Sequence, residues 1–304
     1  MATSREHALT PTRGAKDAVR IVCWGTRGSV PSPGPGTVRY GGNTSCIEIR
    51  TDGRRLIFDA GTGIIPAGHR LATDVSGEPI EVFLTHFHWD HIQGLPFFMP
   101  LRDPAATIRI HARLPRGDKI SDLLGVQMGV PFFPVTLQEM PARVEYHELE
   151  RRGWADGNLA VVPFPVRHPN HTCGLRITAA GTTVVYIPDN EPESARYPDA
   201  SWDDLVEFAS SADLLLHNAM FTTAEYDSRR GWGHGTFEQA VHLAQAADAG
   251  RLLMFHHHPD RTDEQIDAIL ESVQTQIRAA GSSLDVGAAV EGQEIVVPVR
   301  RAKP

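Results

Sequence analysis

The stretch Thr85-His86-Phe87-His88-Trp89-Asp90-His91-Ile92-Gln93-Gly94 places three histidines and a carboxylate between positions 86 and 91. Imidazoles and carboxylates are the usual protein donors to transition metals, and four of them this close suit a metal site better than a solvated surface. The apolar run Ile80-Glu81-Val82-Phe83-Leu84 just before them reads as a buried strand that delivers its last residues into a loop. His86 and His88 alternate, so on an extended backbone their imidazoles fall on one side. Asp90 and His91, read as the start of a helix, would face a second point nearby.

The spacing resembles the signature His-x-His-x-Asp-His-x-x-Gly of the metallo-β-lactamase fold superfamily, which needs further ligands at later places in a set order. The segment Arg167-His168-Pro169-Asn170-His171-Thr172-Cys173-Gly174-Leu175-Arg176-Ile177 resembles the His-Pro segment of its ribonuclease Z-like branch. By that likeness His168 completes the first metal's shell, with His171 as the competing donor. The run Thr182 to Asp189 reads as a strand ending in a carboxylate, and Asp189 stands at the place of the family's bridging carboxylate, which can serve two cations because it has two oxygens. His217-Asn218-Ala219-Met220-Phe221 matches a segment in which the branch carries His-Glu; here the acid is replaced by Asn218. An amide can orient an imidazole but does not hold its proton as a carboxylate would. Gly231-Trp232-Gly233-His234-Gly235-Thr236 resembles the branch's Gly-His-Ser-Thr turn, and the bland alternative for His234 is a structural turn residue. Of His256-His257-His258 after the last long apolar run, His256 takes the place of the family's closing ligand, with His257 and His258 open as outer or exposed residues.

The resemblance thus implies two cations: one held by His86, His88 and His168, the other by Asp90, His91 and His256, with Asp189 between them. Such nitrogen-rich shells favour two zinc ions, with manganese the other candidate. Asp59, in Phe58-Asp59-Ala60-Gly61, is implied as an outer residue that orients a ligand, or else it caps the helix that begins near Ile64. His217 and Asn218 are further outer residues. The implied fold is an α/β sandwich of αββα order, two mixed sheets flanked by helices with the site at one edge.

Length and composition bound the rest. The 304 residues, 41% of them hydrophobic, supply ample core. We read residues 1–18 as a disordered tail, 19–299 as one hydrolase domain and 300–304 as a C-terminal tail. The net charge of −8 and the lack of a Lys/Arg block disfavour long nucleic acid as a partner, leaving a small phosphodiester or nucleotide. No apolar run approaches the roughly 18 residues that span a bilayer, and no apolar leader core is present, so a cytoplasmic protein without a membrane partner is expected. Cys23, Cys46 and Cys173 lie in strand-like runs without metal spacing and read as buried small hydrophobes.

Elements around the motifs follow from pattern. Val19 to Trp24, Ser45 to Thr51, Arg55 to Asp59, Thr107 to Ala112, Arg143 to Glu148, Leu159 to Val166, Ala212 to Leu216, Arg251 to Phe255 and Glu294 to Val299 read as strands, with a hairpin turn at Asp52-Gly53. Thr236 with Gln239, and Thr262 with Gln265, predict capping boxes opening two amphipathic helices. The Gly/Pro-rich loop 25–42 is either a surface excursion or a pocket wall from which Arg27 or Tyr40 reaches a ligand. The insert 114–140, with its exposed-looking Phe132 and Phe133, reads as a lid, a homodimer contact or a substrate wall.

Two cations about 3.5–4 Å apart suit in-line attack on phosphorus, because they yield hydroxide near neutral pH and clamp phosphoryl oxygens. The resemblance to the ribonuclease Z-like branch implies phosphodiester hydrolysis. Asp90 would orient the nucleophile or accept its proton, and His234 would hold a non-bridging oxygen or protonate the leaving alkoxide. Cyclic nucleotides are the favoured substrates. Transfer-RNA 3′ processing, lactone or thioester hydrolysis, and ligand binding without turnover are the alternatives.

Overall fold

The computed structural model describes residues 18–51, 53–72, 77–197 and 200–298. Residues 1–17 and 300–304 of the expected tails, Val299 of the expected last strand and Asp52 of the expected turn lie outside them. Ala18, assigned to the tail, is instead the first residue of a strand.

Among the described residues, fourteen strands form two sheets. They are β1 (Ala18–Gly25), β2 (Cys46–Thr51), β3 (Arg54–Phe58), β4 (Ile80–Leu84), β5 (Thr107–Ala112), β6 (Arg143–Glu148) and β7 (Trp154–Asp156), followed by β8 (Leu159–Pro165), β9 (Cys173–Ala179), β10 (Thr182–Ile187), β11 (Leu214–Asn218), β12 (Arg251–Phe255), β13 (Asp285–Ala288) and β14 (Glu294–Pro298). The first sheet runs β14-β1-β2-β3-β4-β5-β6 and the second β13-β12-β11-β10-β9-β8-β7. Both mix parallel and antiparallel pairs. Their inner faces meet in a core that includes Ile21, Ile49, Phe58 and Phe83 from one sheet and Leu175, Ile177, Tyr186 and Phe255 from the other. The helices α1 (Ile64–Leu71), α2 (Ile120–Gly125), α3 (Trp202–Ala209), α4 (Thr223–Tyr226), α5 (Phe237–Ala246) and α6 (Asp263–Ala279) complete the set. α1 and α2 cover the outside of the first sheet, while α3, α5 and α6 cover the second. The order of layers is therefore αββα, as the motifs imply. The capping boxes at Thr236 and Thr262 are formed.

This topology gathers one set of chain ends. β3 and β4 are parallel, so Asp59 and the run from Thr85 leave the first sheet at the same edge. β8 and β10 each pair antiparallel with β9, and β10, β11 and β12 are mutually parallel, so β8, β10, β11 and β12 all end on one side. His168, Asp189, Asn218 and His256 stand at or just beyond those four ends, the position at which open α/β sheets present ligands.

Three expectations give way. Trp89–His91 form a single 3₁₀ turn, not the start of a helix; Ile92 then leaves helical geometry, and Gly94 approaches Gly61 so closely that a Cβ would lie 2.1 Å from the Gly61 oxygen. The short strands β7 and β13, which sequence patterning leaves out, close the two ends of the second sheet. Arg27 and Tyr40 do not reach a ligand. Arg27 is fully buried and donates to the carbonyls of Gly41, His258 and Arg261, while the Tyr40 hydroxyl donates to Asp267. The Gly/Pro-rich loop is thereby laced to the chain after β12. In the insert, Val126, Val130 and Phe132 are exposed, whereas Phe133 packs edge-on against Phe97.

Candidate metal centre

Seven of the expected donors converge. His86, His88, His168 and Asp189 form one group whose donor atoms all lie within 4.8 Å of one another, and Asp90, His91, Asp189 and His256 form a second. Asp189 belongs to both. His171 is exposed and outside either group. His257 is buried away from the site, its Nε2 donating to the Ala289 carbonyl at 2.9 Å, and half-buried His258 packs on Phe221.

Four of the five imidazoles are held by one nitrogen, which leaves the other for the centre. His86 Nδ1 lies 3.0 Å from the Thr85 hydroxyl, and that hydroxyl in turn donates to Asp59. His91 Nδ1 lies 2.8 Å from Asp59 Oδ2, which also accepts from the Tyr186 hydroxyl. His168 Nδ1 donates to the Gly233 carbonyl at 2.7 Å, and His88 Nε2 lies 2.9 Å from the Asn170 amide. Asp59 does not cap α1, whose N-cap is Gly63.

The inner nitrogens provide the test of whether a cation fits. Nε2 of His86 and of His91 are buried and make no hydrogen bond, although Asp189 Oδ2 lies 3.2 and 2.9 Å away. Distance is met but the angle is not. Buried nitrogens without a hydrogen-bond partner suit a metal ion, because a buried polar atom without a partner is otherwise costly. The donor set of five imidazoles and two carboxylates fits two transition metals.

Two glycines allow the close approach. A Cβ on Gly28 would lie 2.3 Å from His256 Nδ1, and one on Gly233, at φ 86°, 2.3 Å from His168 Nδ1. Five non-glycine residues with positive φ also bracket the centre: Ser29, Asp59, Asn170, His171 and His256. Strain of this kind persists only where surrounding contacts fix it. At Ser29 the fixing contact is its backbone N–H, which donates to Asp90 Oδ2 at 2.7 Å.

Outside both groups stands His234. Its Nδ1 lies 3.1 Å from Asn218 Nδ2 and 3.4 Å from Asp189 Oδ1, and its ring stacks on His256 with centroids 5.1 Å apart. The Asn218 amide can point only one way: its oxygen accepts from the Gly235 N–H at 2.9 Å, and its nitrogen donates to the Pro188 carbonyl at 2.8 Å. Asn218 therefore donates to His234 Nδ1, which places the ring proton on Nε2. His217 lies further out, fully buried between the Asn218 carbonyl and the Asn190 amide, and burial lowers it to about 4 despite the carbonyl. Patterning also passed over Thr85, Asn170 and Ser29. Of these, Thr85 and Asn170 are flagged by standing beside His86 and two places after His168; Ser29 acts through its backbone and carries no side-chain signal.

Comparison with known proteins agrees with this architecture. A ribonuclease Z from Natronomonas pharaonis is 27% identical over 285 residues, covering 79% of this chain and 87% of its own. Human tRNase Z, short form, superposes with a TM-score of 0.63 at 21% identity, covering 92% of this chain and 100% of its own. Unliganded yeast PDE1 does so with a TM-score of 0.66 at 16% identity, with the same coverage. At those identities the two structures speak for the fold alone. The family profile described as a β-lactamase superfamily domain matches residues 54–257, more than half of the chain and from before the first ligand run to after the last. The chain belongs to that superfamily, as a metal-dependent hydrolase of its metallo-β-lactamase fold.

Proposed function

We propose that the protein is a dinuclear metal-dependent phosphodiesterase acting on small, cyclic nucleotides, with His86, His88 and His168 holding one ion, Asp90, His91 and His256 the other, and Asp189 bridging. Zinc suits this donor set, with manganese the alternative. Two such ions supply Lewis acidity toward phosphoryl oxygens and lower the pKa of water.

The observation that carries the reading is His234, an imidazole beside both donor groups and needed by neither. With Nδ1 occupied by Asn218, its Nε2–H is free to donate to a phosphoryl oxygen or to the leaving alkoxide. Asp90 is placed for the opposite task. Burial favours its neutral form, yet His91 and His256 outweigh burial and hold the carboxyl well below its usual range. It stays ionised, oriented by the Ser29 N–H, and able to align a nucleophile or take its proton. Asp59, His217 and Asn218 position these groups.

A second reading is favoured by one finding: the relatives matched over four fifths of the chain bear the name ribonuclease Z. Precursor transfer RNA is accordingly the competing substrate. The net charge of −8 supports the small one. A screen of metal-loaded protein against cyclic mononucleotides, a linear diester, a lactone and precursor transfer RNA tests the proposal. Turnover of cyclic mononucleotides with a shallow salt dependence is expected. Cleavage of precursor transfer RNA with affinity falling roughly 10³–10⁵-fold between 50 and 200 mM salt, and none of cyclic nucleotides, would move the assignment to RNA. Turnover of the lactone alone would remove phosphodiesters altogether.

A further inference from the structure

Three of the five tryptophans are employed inside the fold. The Trp24 indole N–H donates to Glu48 at 2.9 Å, Trp154 packs edge-on against Phe83 and His111, and Trp202 stacks on His242. The other two are not. Trp89 is 71% exposed and Trp232 62% exposed. Among the described residues, neither indole stacks on a ring, lies under a guanidinium or donates a hydrogen bond.

Both stand in the chain next to residues that form or hold the metal centre. Trp89 lies between His88 and Asp90, one from each donor group. Trp232 lies between Gly231 and Gly233, whose backbone N–H groups both donate to the buried carboxylate of Glu191, at 2.8 and 2.9 Å. Tyr226 donates to the same carboxylate at 2.7 Å. One imidazole joins the two segments: His168 Nε2 lies 3.1 Å from His88 Nδ1, and His168 Nδ1 donates to the Gly233 carbonyl. The segments that carry the two indoles thus meet at a single imidazole, with the indoles exposed and their backbones already ordered.

We infer that Trp89 and Trp232 are stacking platforms that bind the planar base of a nucleotide whose phosphate lies at the metal centre. The inference rests on the phosphodiesterase reading and adds the residues that would select a base-bearing ester over a bare sugar phosphate. Indole faces stack on any nucleobase, and a rigid platform loses little freedom on binding. Each stacked ring is worth about 5–150-fold in affinity.

Binding without turnover tests it. Metal-loaded protein is titrated calorimetrically with adenosine 5′-monophosphate and with ribose 5-phosphate, which differ by the base. Wild type should prefer the former by at least about 5-fold. The preference should shrink in Trp89→Ala and in Trp232→Ala, vanish in the double variant, and return in part with Phe at either position. Metal content is measured in each variant to show that the centre is intact. Equal affinities for the two ligands in wild type, or a preference that survives the double variant, would overturn the inference. Because no turnover is read, a protein that hydrolyses no phosphodiester sinks the catalytic reading and still leaves the stacking decided by this titration.

Discussion

His88 and Asp90 are two residues apart in sequence and belong to donor groups of opposite electrostatic character. In the group of His86, His88 and His168, burial pushes all three imidazoles down, His88 to about 4, so they are neutral and ready to bind a cation. In the group of Asp90, His91 and His256, burial again opposes protonation, but carboxylates outweigh it. Asp90, Asp59 and Asp189 raise His91 well above its usual value, and Asp189 with Asp90 brings His256 to about 9. The first group is an open set of lone pairs. The second, without metal, is a closed network of ion pairs from which a cation must displace protons. The difference arises from one extra carboxylate inside the shell and one, Asp59, behind it. It predicts that the two positions fill unequally, the second with proton release and with an affinity that rises steeply with pH.

The largest effect should come from the residue the groups share. Asp189→Ala removes the oxygens that face both points, so elemental analysis should show metal lost from both and the rate should fall about 10³–10⁵-fold, the worth of several kcal/mol of charge stabilisation. Retention of one ion with half the activity would mean that the groups do not depend on a bridge. Next is His234→Ala, expected to lower the rate on a phosphodiester by about 10²–10⁴-fold while both metals remain. Loss of metal in that variant would make His234 a ligand and dissolve the distinction between holding ions and handling protons.

Smaller changes separate the two positions. Asp59 touches His91 directly and His86 only through Thr85, whereas Asn170 touches His88 alone among the donors. Asp59→Ala should weaken the second position about 10–100-fold. Asn170→Ala should weaken the first, by less, because the amide is exposed and water can replace it. Competition with a metal-sensitive dye, resolved into two affinities, reads both. Equal weakening of both positions in each variant would erase the contrast drawn here.

These outer contacts also mark how far the sequence could be read. The run from His86 to His91 was legible because its chemistry is dense and local, and the strands that carry the candidate donors were legible because they are apolar runs with turn residues at their ends. The remaining donors became readable only through likeness to a family, since His168, Asp189 and His256 are single residues whose meaning depends on three strand ends meeting. Backbone donors such as Ser29 N–H leave no residue-type signature. Arg27 misled for a related reason: an arginine in a Gly/Pro-rich loop resembles an anion contact, yet here its guanidinium satisfies one carbonyl of the loop and two of the chain after β12. Trp154–Asp156 and Asp285–Ala288 are too short to show a period, and only pairing with an existing sheet edge makes them strands.

The smallest expected effect is thermal, and it reads the contrast in protein stripped of metal. His91 and His256 have folded pKa values above the unfolded one of about 6.5, so their contribution is complete below that pH and is lost as pH rises through the folded values, about 9 for His256. His86, His88, His168 and His217 have folded values below it, so their contribution is complete above about 6.5 and is lost as pH falls through the folded values, about 4 for His88 and His217. Metal-free protein should therefore melt highest near pH 6.5, with Tm falling by a few degrees on either side. Loading with zinc should flatten the alkaline limb in particular, because His91 and His256 then gain their partner as neutral ligands. In His217→Gln the acid limb should be shallower and the alkaline limb unchanged, since that imidazole lies outside both groups. A Tm of metal-free protein that stays level or rises from pH 6.5 to 9 would show that the second group is not the ion-pair network its geometry describes.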